Sequence, residues 1–250
     1  MVKGVAIISN VAVVLFALLI IPTQVKAEWT TDVYSGIGLT QNHDAQVNLP
    51  DAGITGTHES LKFDSSLIIG ARGTYWIDTF SYLGFGLDVA HYFGPNQKVQ
   101  TSMTTLCVQG FSCSTSPEHI KKFDNNVTAI GFDVMLRYPL LVSAQFTKGQ
   151  LQPYLIVGPA LFTATLKDTD NFIPMEQSST STSWGIEMGI GLTYLFTQKI
   201  GAFIEYRDSS FRAKDEYHNA TVVHDITLGK TLGSATFNIQ AILGGISFRF

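Results

Sequence analysis

The stretch Trp184-Gly-Ile-Glu-Met-Gly-Ile-Gly-Leu-Thr-Tyr-Leu-Phe196 decides the fold class of this chain. Its even-numbered positions, from Trp184 to Phe196, all carry large apolar side chains, whereas its odd-numbered positions are mainly glycine, with Glu187 among them. A period of two places these two sets on opposite faces of a β-strand. Because a face of glycine and one charge is too thin for a solvated surface, we expect it to line the interior of a narrow barrel, with the large apolar side chains outside.

Seven further segments fit the same pattern, three of them with strict alternation. In chain order these seven segments are 29–40, 67–77, 81–93, 127–138, 151–166, 199–211 and 236–250. Together with 184–196 they make eight strands. The fold class is therefore predicted to be all-β, an eight-stranded antiparallel up-and-down transmembrane β-barrel. In the last segment the apolar positions change from odd to even, and a β-bulge at Gly244-Gly245 would reconcile the two phases.

The connections between these segments alternate in length, as expected for a barrel of the outer membrane. With the mature amino end in the periplasm, the long links 41–64, 94–125, 167–182 and 212–235 are predicted to be extracellular loops. Trp184 and Tyr194 would then be about 25 Å apart along the membrane normal, the height of the apolar band. An aromatic girdle is predicted at the periplasmic end, formed by Tyr75, Tyr138, Tyr154, Tyr194, Phe196, Phe248 and Phe250.

Residues 1–27 are predicted to be a signal peptide, which leaves 28–250 as the barrel domain. Lys3 supplies a positive charge, an apolar run follows from Val11 to Ile21, and Val25-Lys26-Ala27 suits a signal peptidase. An uncleaved transmembrane anchor is the alternative, but the run ends at Pro22, short of the roughly 20 residues that a bilayer span needs.

Composition limits the classes of function. The chain has 250 residues, 14% charged and 45% hydrophobic, with a formal net charge of −4. These values fit one folded domain and provide no basic patch for nucleic acid. Cys107 and Cys113 lie close together in a polar stretch, so we expect a structural disulfide rather than a redox or zinc site.

Charged residues on the inward-facing positions are expected to form a paired polar plug. Burying an unpaired charge costs several kcal/mol, so charges enclosed in a narrow lumen must pair or be hydrated. A conducting pore is the alternative, although the near balance of acids and bases provides no lining of a single sign. The predicted inward-facing residues are Asp32, Arg72, Asp88, Asp133, Arg137, Glu187, Glu205, Arg207 and Arg249.

The chain resembles the opacity-type family of small outer-membrane β-barrels, related in architecture to the OmpA-type membrane domain. The segments that carry the resemblance are Tyr82-Leu-Gly-Phe-Gly-Leu-Asp88, Pro153-Tyr-Leu-Ile-Val-Gly158, Trp184–Tyr194, Glu205-Tyr-Arg207 and Gly245-Ile-Ser-Phe-Arg-Phe250. The carboxyl end also resembles the signal read by the outer-membrane assembly machinery, with Phe248 and Phe250 as its aromatic positions. Leu243 departs from that signal, because a polar residue is usual there.

The plugged interior, the long external loops and the lack of a catalytic set predict a non-enzymatic protein that supports envelope integrity and presents surface loops. The resemblance implies that these loops serve adhesion to an extracellular surface. The implied partners are outer-membrane lipid, lipopolysaccharide and the assembly machinery; we expect a monomer, with no cofactor, metal or nucleic acid. A narrow channel for small solutes is an alternative. A lipid A-modifying enzyme is another, but His91 has no serine or carboxylate placed beside it by a recognisable motif.

Overall fold

The computed structural model describes residues 28–49, 53–94, 96, 98, 100–120, 123–168, 178–217, 221–223, 226–228 and 231–250. The predicted signal peptide lies outside these described residues. In this part of the chain no helix is long and apolar enough to cross a membrane.

Eight strands close into an antiparallel barrel, which confirms the predicted fold class. In chain order the described strands are β1 (Glu28–Thr40), β2 (His43–Leu49), β3 (Ile54–Leu61), β4 (Ser66–Trp76), β5 (Leu83–Phe93), β6 (Gln100–Val108), β7 (Ser114–Ile120), β8 (Phe123–Arg137), β9 (Leu151–Asp168), β10 (Ser178–Leu195), β11 (Ile200–Tyr217), β12 (Thr221–Val223), β13 (Ile226–Leu228) and β14 (Thr231–Arg249). The wall runs β1, β4, β5, β8, β9, β10, β11, β14, and β14 pairs with β1 to close it.

The strands are staggered around the barrel. When each residue is followed to its partner on the next strand, one full turn around the wall leads from Leu39 of β1 back to Trp29 of β1. The end point therefore lies ten residues nearer the beginning of the strand. A stagger of this size in an eight-stranded barrel corresponds to a strand tilt of about 40°. Each residue therefore rises about 2.5 Å along the barrel axis.

The alternation in β10 predicts the two faces of the wall correctly. Trp184, Met188 and Phe196 are exposed on the outer face, while Glu187 is buried inside. The barrel thus turns its large apolar side chains outward, which is the reverse of a water-soluble protein and is expected where the solvent is lipid.

The predicted bulge at Gly244-Gly245 is wrong. β14 pairs with both β1 and β11 without any shift in register. Its odd-numbered side chains point inward throughout, and Phe237, Ile239 and Leu243 are all buried. The apolar positions change phase because the barrel interior itself becomes apolar toward its extracellular end.

The long links contain strands of their own, which the sequence pattern did not indicate. β14 extends past the end of β1 and pairs through residues 232–235 with β2. The hairpins β2–β3 and β6–β7 then continue this sheet, because β3 also pairs with β6. Part of the barrel wall therefore projects beyond the membrane as a continuous sheet, in which β3, β6 and β7 are rich in threonine and serine.

One member of the predicted girdle is misplaced. Tyr154 is buried inside the barrel, whereas Tyr138, Tyr194, Phe196 and Phe250 are exposed on the outer face. In β9 the even-numbered residues point inward, so the tyrosine side chain is directed at the interior charges rather than at the membrane interface.

Candidate functional site

Arg72 lies in the middle of the barrel interior. Its guanidinium donates two hydrogen bonds to Asp32 Oδ2, at 3.1 Å from Nε and 2.9 Å from Nη2. A third bond of 2.9 Å runs from Nη1 to Glu205 Oε2, which also accepts a bond of 2.9 Å from the Tyr154 hydroxyl. Because Arg72 is only 1% exposed, these charge-assisted bonds are shielded from water and from salt.

Arg207 continues this network across the barrel. It donates to Glu205 Oε1 at 2.8 Å, to the Tyr34 hydroxyl at 3.1 Å and to Asp88 Oδ2 at 3.0 Å. The Tyr34 hydroxyl in turn donates to Asp88 Oδ1. Glu205 is therefore shared by two arginines, and the chain Asp32, Arg72, Glu205, Arg207, Asp88 alternates in charge from one wall to the other.

Two glycines of the barrel wall make room for the buried tyrosines. A Cβ on Gly70 would lie 2.3 Å from Cζ of Tyr34, and a Cβ on Gly191 would lie 2.3 Å from Cζ of Tyr154. No side chain could be tolerated at such distances. The inward-facing glycines of the sequence therefore leave space for the aromatic rings that hydrogen-bond to the charges.

Glu187 lies beside this network and is held by hydroxyl groups instead of arginines. Its Oε1 accepts hydrogen bonds from the Ser209 hydroxyl at 3.0 Å and from the Tyr92 hydroxyl at 3.2 Å. These neutral donors solvate the carboxylate without cancelling its charge.

Asp133 is the exception among the interior carboxylates. It is 4% exposed, and its Oδ1 has no hydrogen-bond partner. A Cβ built on Gly131 would lie 3.6 Å from this oxygen and 2.9 Å from Oε2 of Glu187, so the two carboxylates face the same small space. With two buried arginines for five buried carboxylates, the centre of the interior carries an excess of negative charge.

At the periplasmic end of the interior, positive charges outnumber negative charges. Glu28 receives 2.7 and 2.8 Å hydrogen bonds from Arg137 and a 2.8 Å ion pair from Lys148, and Arg249 Nε lies 3.5 Å from it. Arg249 also donates to Gln152. A cavity of about 20 Å³ separates this cluster from the central network. It has room for about one water molecule. The interior charges are therefore close to balanced only when both regions are taken together.

Aromatic rings close the extracellular end of the interior. Phe162 and Phe211 stack with centroids 4.2 Å apart and planes 8° apart, and Phe237 stacks on Phe211 at 5.2 Å and 13°. All three are buried. This aromatic stack bridges β9, β11 and β14, and it lies across the route from the polar centre to the outside.

Outside the membrane, the β6–β7 hairpin ends in a disulfide between Cys107 and Cys113. Phe111 lies in the turn between these cysteines and is 80% exposed, and Leu106 and Val108 beside it are also exposed. The disulfide therefore closes a small, exposed apolar tip.

All nine predicted inward-facing charges do point into the barrel, but they separate into two groups. Arg72, Asp88, Asp133, Glu187, Glu205, Arg207 and Asp32 form the central group, while Arg137 and Arg249 lie at the periplasmic end. Phe248 and Phe250 lie at the end of the strand that closes the barrel. His91 lies on the outer face, where its Nδ1 is 2.9 Å from the Thr128 hydroxyl.

Several interior residues were missed from the sequence. Tyr34 and Tyr92 have the same parity as the predicted Asp32 and Asp88, so the alternation could have identified them. Glu28 lies one residue before the first predicted strand, and Lys148 lies in a turn where no parity applies. Within the described residues, no group of three or more histidine, cysteine or carboxylate side chains could hold a metal ion.

A similar fold is found in a known protein structure. A comparison with curated proteins finds no match. Among solved structures, OprG from Pseudomonas aeruginosa is 13% identical with a TM-score of 0.53, over 90% of this chain and 96% of that one. Neisserial surface protein A is 14% identical with a TM-score of 0.49, over 90% and 100%. Ail of Yersinia pestis is 10% identical with a TM-score of 0.43, over 89% and 99%.

The family is decided by the sequence model described as "Outer membrane protein beta-barrel domain", which matches residues 11–229. This match covers most of the chain, and the resemblance to opacity-type barrels points the same way. The closed eight-stranded wall has an apolar outer face, as a barrel in the outer membrane requires. The chain therefore belongs to the outer membrane protein β-barrel domain family and is a protein of the outer membrane.

Proposed function

We propose that this protein is a non-enzymatic barrel that supports envelope integrity and presents its extracellular strands for interaction with other surfaces. The observation that carries the proposal is the projecting sheet of β14, β2, β3, β6 and β7, which ends in a disulfide-closed tip. Loops without such pairing would lose conformational entropy on binding, whereas a pre-formed sheet with a cross-linked tip loses less.

The exposed apolar tip also supports this proposal. An aromatic side chain exposed to water on a rigid support is typical of an anchor residue in protein recognition. Phe111 meets this description, with the Cys107–Cys113 disulfide directly beside it.

Adhesion of whole cells tests the proposal. A deletion strain complemented with the Phe111→Ser variant should adhere less to the surface that the wild type colonises, and should stay as sensitive to detergent as the wild type. The matched control is Phe80→Ser, because Phe80 is also an exposed phenylalanine but lies in the turn between β4 and β5 on the periplasmic side. Equal adhesion of the deletion strain and the wild type would contradict the proposal.

The interior supports a plug rather than a channel. The charge network and the aromatic stack fill successive levels of the lumen, and their members are buried. Planar-bilayer recordings of the purified protein should therefore lack reproducible single-channel steps; regular steps would favour the solute channel instead.

The absence of an enzymatic activity is part of the proposal and has its own test. Mass spectra of lipid A from cells with and without the protein should be identical. A mass change that depends on the protein would replace the proposal with a lipid-modifying activity.

We also propose that residues 1–27 are a signal peptide and that the mature protein begins at Glu28. The Glu28 carboxylate is bound inside the barrel by Arg137, so the barrel includes this residue. Amino-terminal sequencing of the protein from outer membranes should begin with Glu28-Trp29-Thr30. A sequence that begins upstream of Ala27 would contradict it.

A further inference from the structure

A shallow apolar groove crosses the outer face of strands β8 to β11. Its volume is about 470 Å³, and its walls are almost wholly apolar. The outward side chains that form it are Leu136, Leu155, Val157, Met188, Ile190 and Tyr206. Since these side chains lie on the apolar outer face of the barrel wall, the groove is open to the lipid and not to water.

A carboxylate lies at the extracellular end of this groove. Asp208 points outward from β11, opposite Met188 on one side and Gln240 on the other. No described residue donates a hydrogen bond to it or pairs with its charge. Charged side chains on the lipid face destabilise a barrel and are rare, so an acid here needs an explanation.

The depth of Asp208 limits what can contact it. It lies eight residues above Ile200, the first residue of β11. At the strand tilt of this barrel, that is about 20 Å above Ile200 along the barrel axis. The next outward residues of β11 are the exposed Ser210 and Arg212, so the carboxylate lies where the apolar outer face of this strand ends, at the level where acyl chains join their headgroups.

We propose that the groove binds one acyl chain of a lipopolysaccharide molecule in the outer leaflet, and that Asp208 accepts a hydrogen bond from a hydroxyl or amide N–H beside that chain. A carboxylate can only accept hydrogen bonds, so its partner must be a donor. At this depth a glycerophospholipid offers ester oxygens, which are acceptors and repel it. Amide-linked, hydroxylated acyl chains offer the donors that fit.

A second copy of the chain fits this surface less well. Two barrels side by side in one membrane have the same orientation, so their tilted strands cross at about 80° where they meet. Two convex walls that cross in this way touch over little area, far below the roughly 800 Å² per partner of a stable interface. The groove and Asp208 would remain mostly uncovered.

Lipid titration of the purified barrel, followed by native mass spectrometry, tests the proposal. The probes are lipopolysaccharide and phosphatidylcholine, which has no hydrogen-bond donor. The wild type should bind one lipopolysaccharide molecule saturably and in preference to phosphatidylcholine. Asp208→Leu should weaken that binding about tenfold, the effect of one hydrogen bond to a charged group. Val157→Trp, which fills the groove, should weaken it as well.

Two controls isolate the groove. Ile37→Trp places the same bulk on an exposed, lipid-facing position of β1, away from the groove, and should bind as the wild type does. Asp208→Asn keeps the shape and one acceptor oxygen, so its binding should lie between those of the wild type and Asp208→Leu. A heat-modifiable band on a gel shows that each variant is folded.

Three results would overturn the proposal. Unchanged lipopolysaccharide binding by Asp208→Leu would remove the role of the carboxylate. Equal binding of both lipids would make the groove a general acyl-chain surface. A dimer that Asp208→Leu dissociates would identify a second copy as the occupant. None of these results bears on adhesion through Phe111.

Discussion

Asp133 differs from the other buried carboxylates because no described residue forms an ion pair with it or donates a hydrogen bond to its Oδ1. Its neighbours Asp88 and Glu205 each contact Arg207, and Glu187 accepts from two hydroxyls. An unpartnered charge in a dry interior is unfavourable by several kcal/mol unless it is neutralised. At this position the native residue is therefore not the most stable one.

Replacing Asp133 by asparagine should stabilise the barrel. The substitution keeps the shape of the side chain and removes an uncompensated charge beside Glu187, so we expect the free energy of unfolding to rise by about 1–3 kcal/mol. Urea unfolding in detergent micelles, followed by tryptophan fluorescence, measures this change.

Asp32→Asn is the matched control, since it removes the same charge from a residue that accepts two hydrogen bonds from Arg72. It should lower the free energy of unfolding by about 3 kcal/mol, because the negative charge that pairs with a buried arginine is lost. If both variants lose stability equally, Asp133 has a partner that its position does not reveal.

The hydrogen bonds that Arg207 makes in the interior network depend on the shape of its guanidinium. Its three nitrogen atoms reach Glu205, Tyr34 and Asp88 separately, whereas the three donors of a lysine share one nitrogen and do not reproduce this planar fork. Arg207→Lys should lower the free energy of unfolding by about 2–4 kcal/mol in the same urea assay. Arg212→Lys on the exposed side of β11 should change it by less than about 0.5 kcal/mol. Comparable losses in both variants would show that the network is not specific to the guanidinium.

At the scale of the strand, the extracellular halves of β9, β11 and β14 have apolar residues on the inner face of the wall. Inside, Phe162, Phe211 and Phe237 stack across the three strands. The change from charges to phenylalanines along one inner face explains why the apolar positions of β14 change phase while its register does not shift. A barrel this narrow can be filled by either kind of side chain, provided that each level is packed.

Phe211→Ala should be strongly destabilising, because it removes the central ring of the stack. We expect a loss of about 3–5 kcal/mol in the free energy of unfolding, the usual effect of truncating a buried phenylalanine. The exposed Phe111 supplies the control, and Phe111→Ala should change the stability by less than about 0.5 kcal/mol. A small loss for Phe211→Ala would mean that this end of the interior is loosely packed and that the plug is incomplete.

At the scale of the whole molecule, closure depends on the pairing of the first and last strands. The Phe250 amide donates a 2.9 Å hydrogen bond to the Trp29 carbonyl, and the Trp29 amide lies 3.4 Å from the Phe250 carbonyl. These are the last backbone contacts at the periplasmic end of the seam between β1 and β14. Closing this seam removes the open edges that a sheet cannot expose to lipid.

Deletion of Phe250 should reduce the amount of folded barrel in the outer membrane. The deletion removes both backbone contacts, each contributing about 1 kcal/mol, and also the terminal aromatic residue that resembles an assembly signal. The ratio of heat-modifiable to unfolded protein in membrane extracts measures the effect. Deletion of the exposed Phe111 tip is the control, and an unchanged ratio after removal of Phe250 would contradict the expected role of the carboxyl end.

Much of this architecture follows from the order of the amino acids alone. Alternation in 184–196 and its repeats identifies eight strands, their inner and outer faces and the charges inside, because the side-chain period of a strand is a local property. The closed barrel follows as well, since a sheet with one lipid-facing side must remove its edges.

Other features depend on residues far apart in the chain. Asp133 Oδ1 has no hydrogen-bond partner among the described residues, whereas Glu205 pairs with two arginines. This difference depends on which strands face each other across the lumen. The inward direction of the Tyr154 side chain likewise follows from the packing of the interior. So does the regular strand pairing at Gly244-Gly245, where a bulge was predicted. The same is true of the groove beside Asp208, which needs four neighbouring strands. Periodicity specifies the face on which a side chain lies, but its partner is set by the stagger of the strands, and that exists only once the barrel is closed.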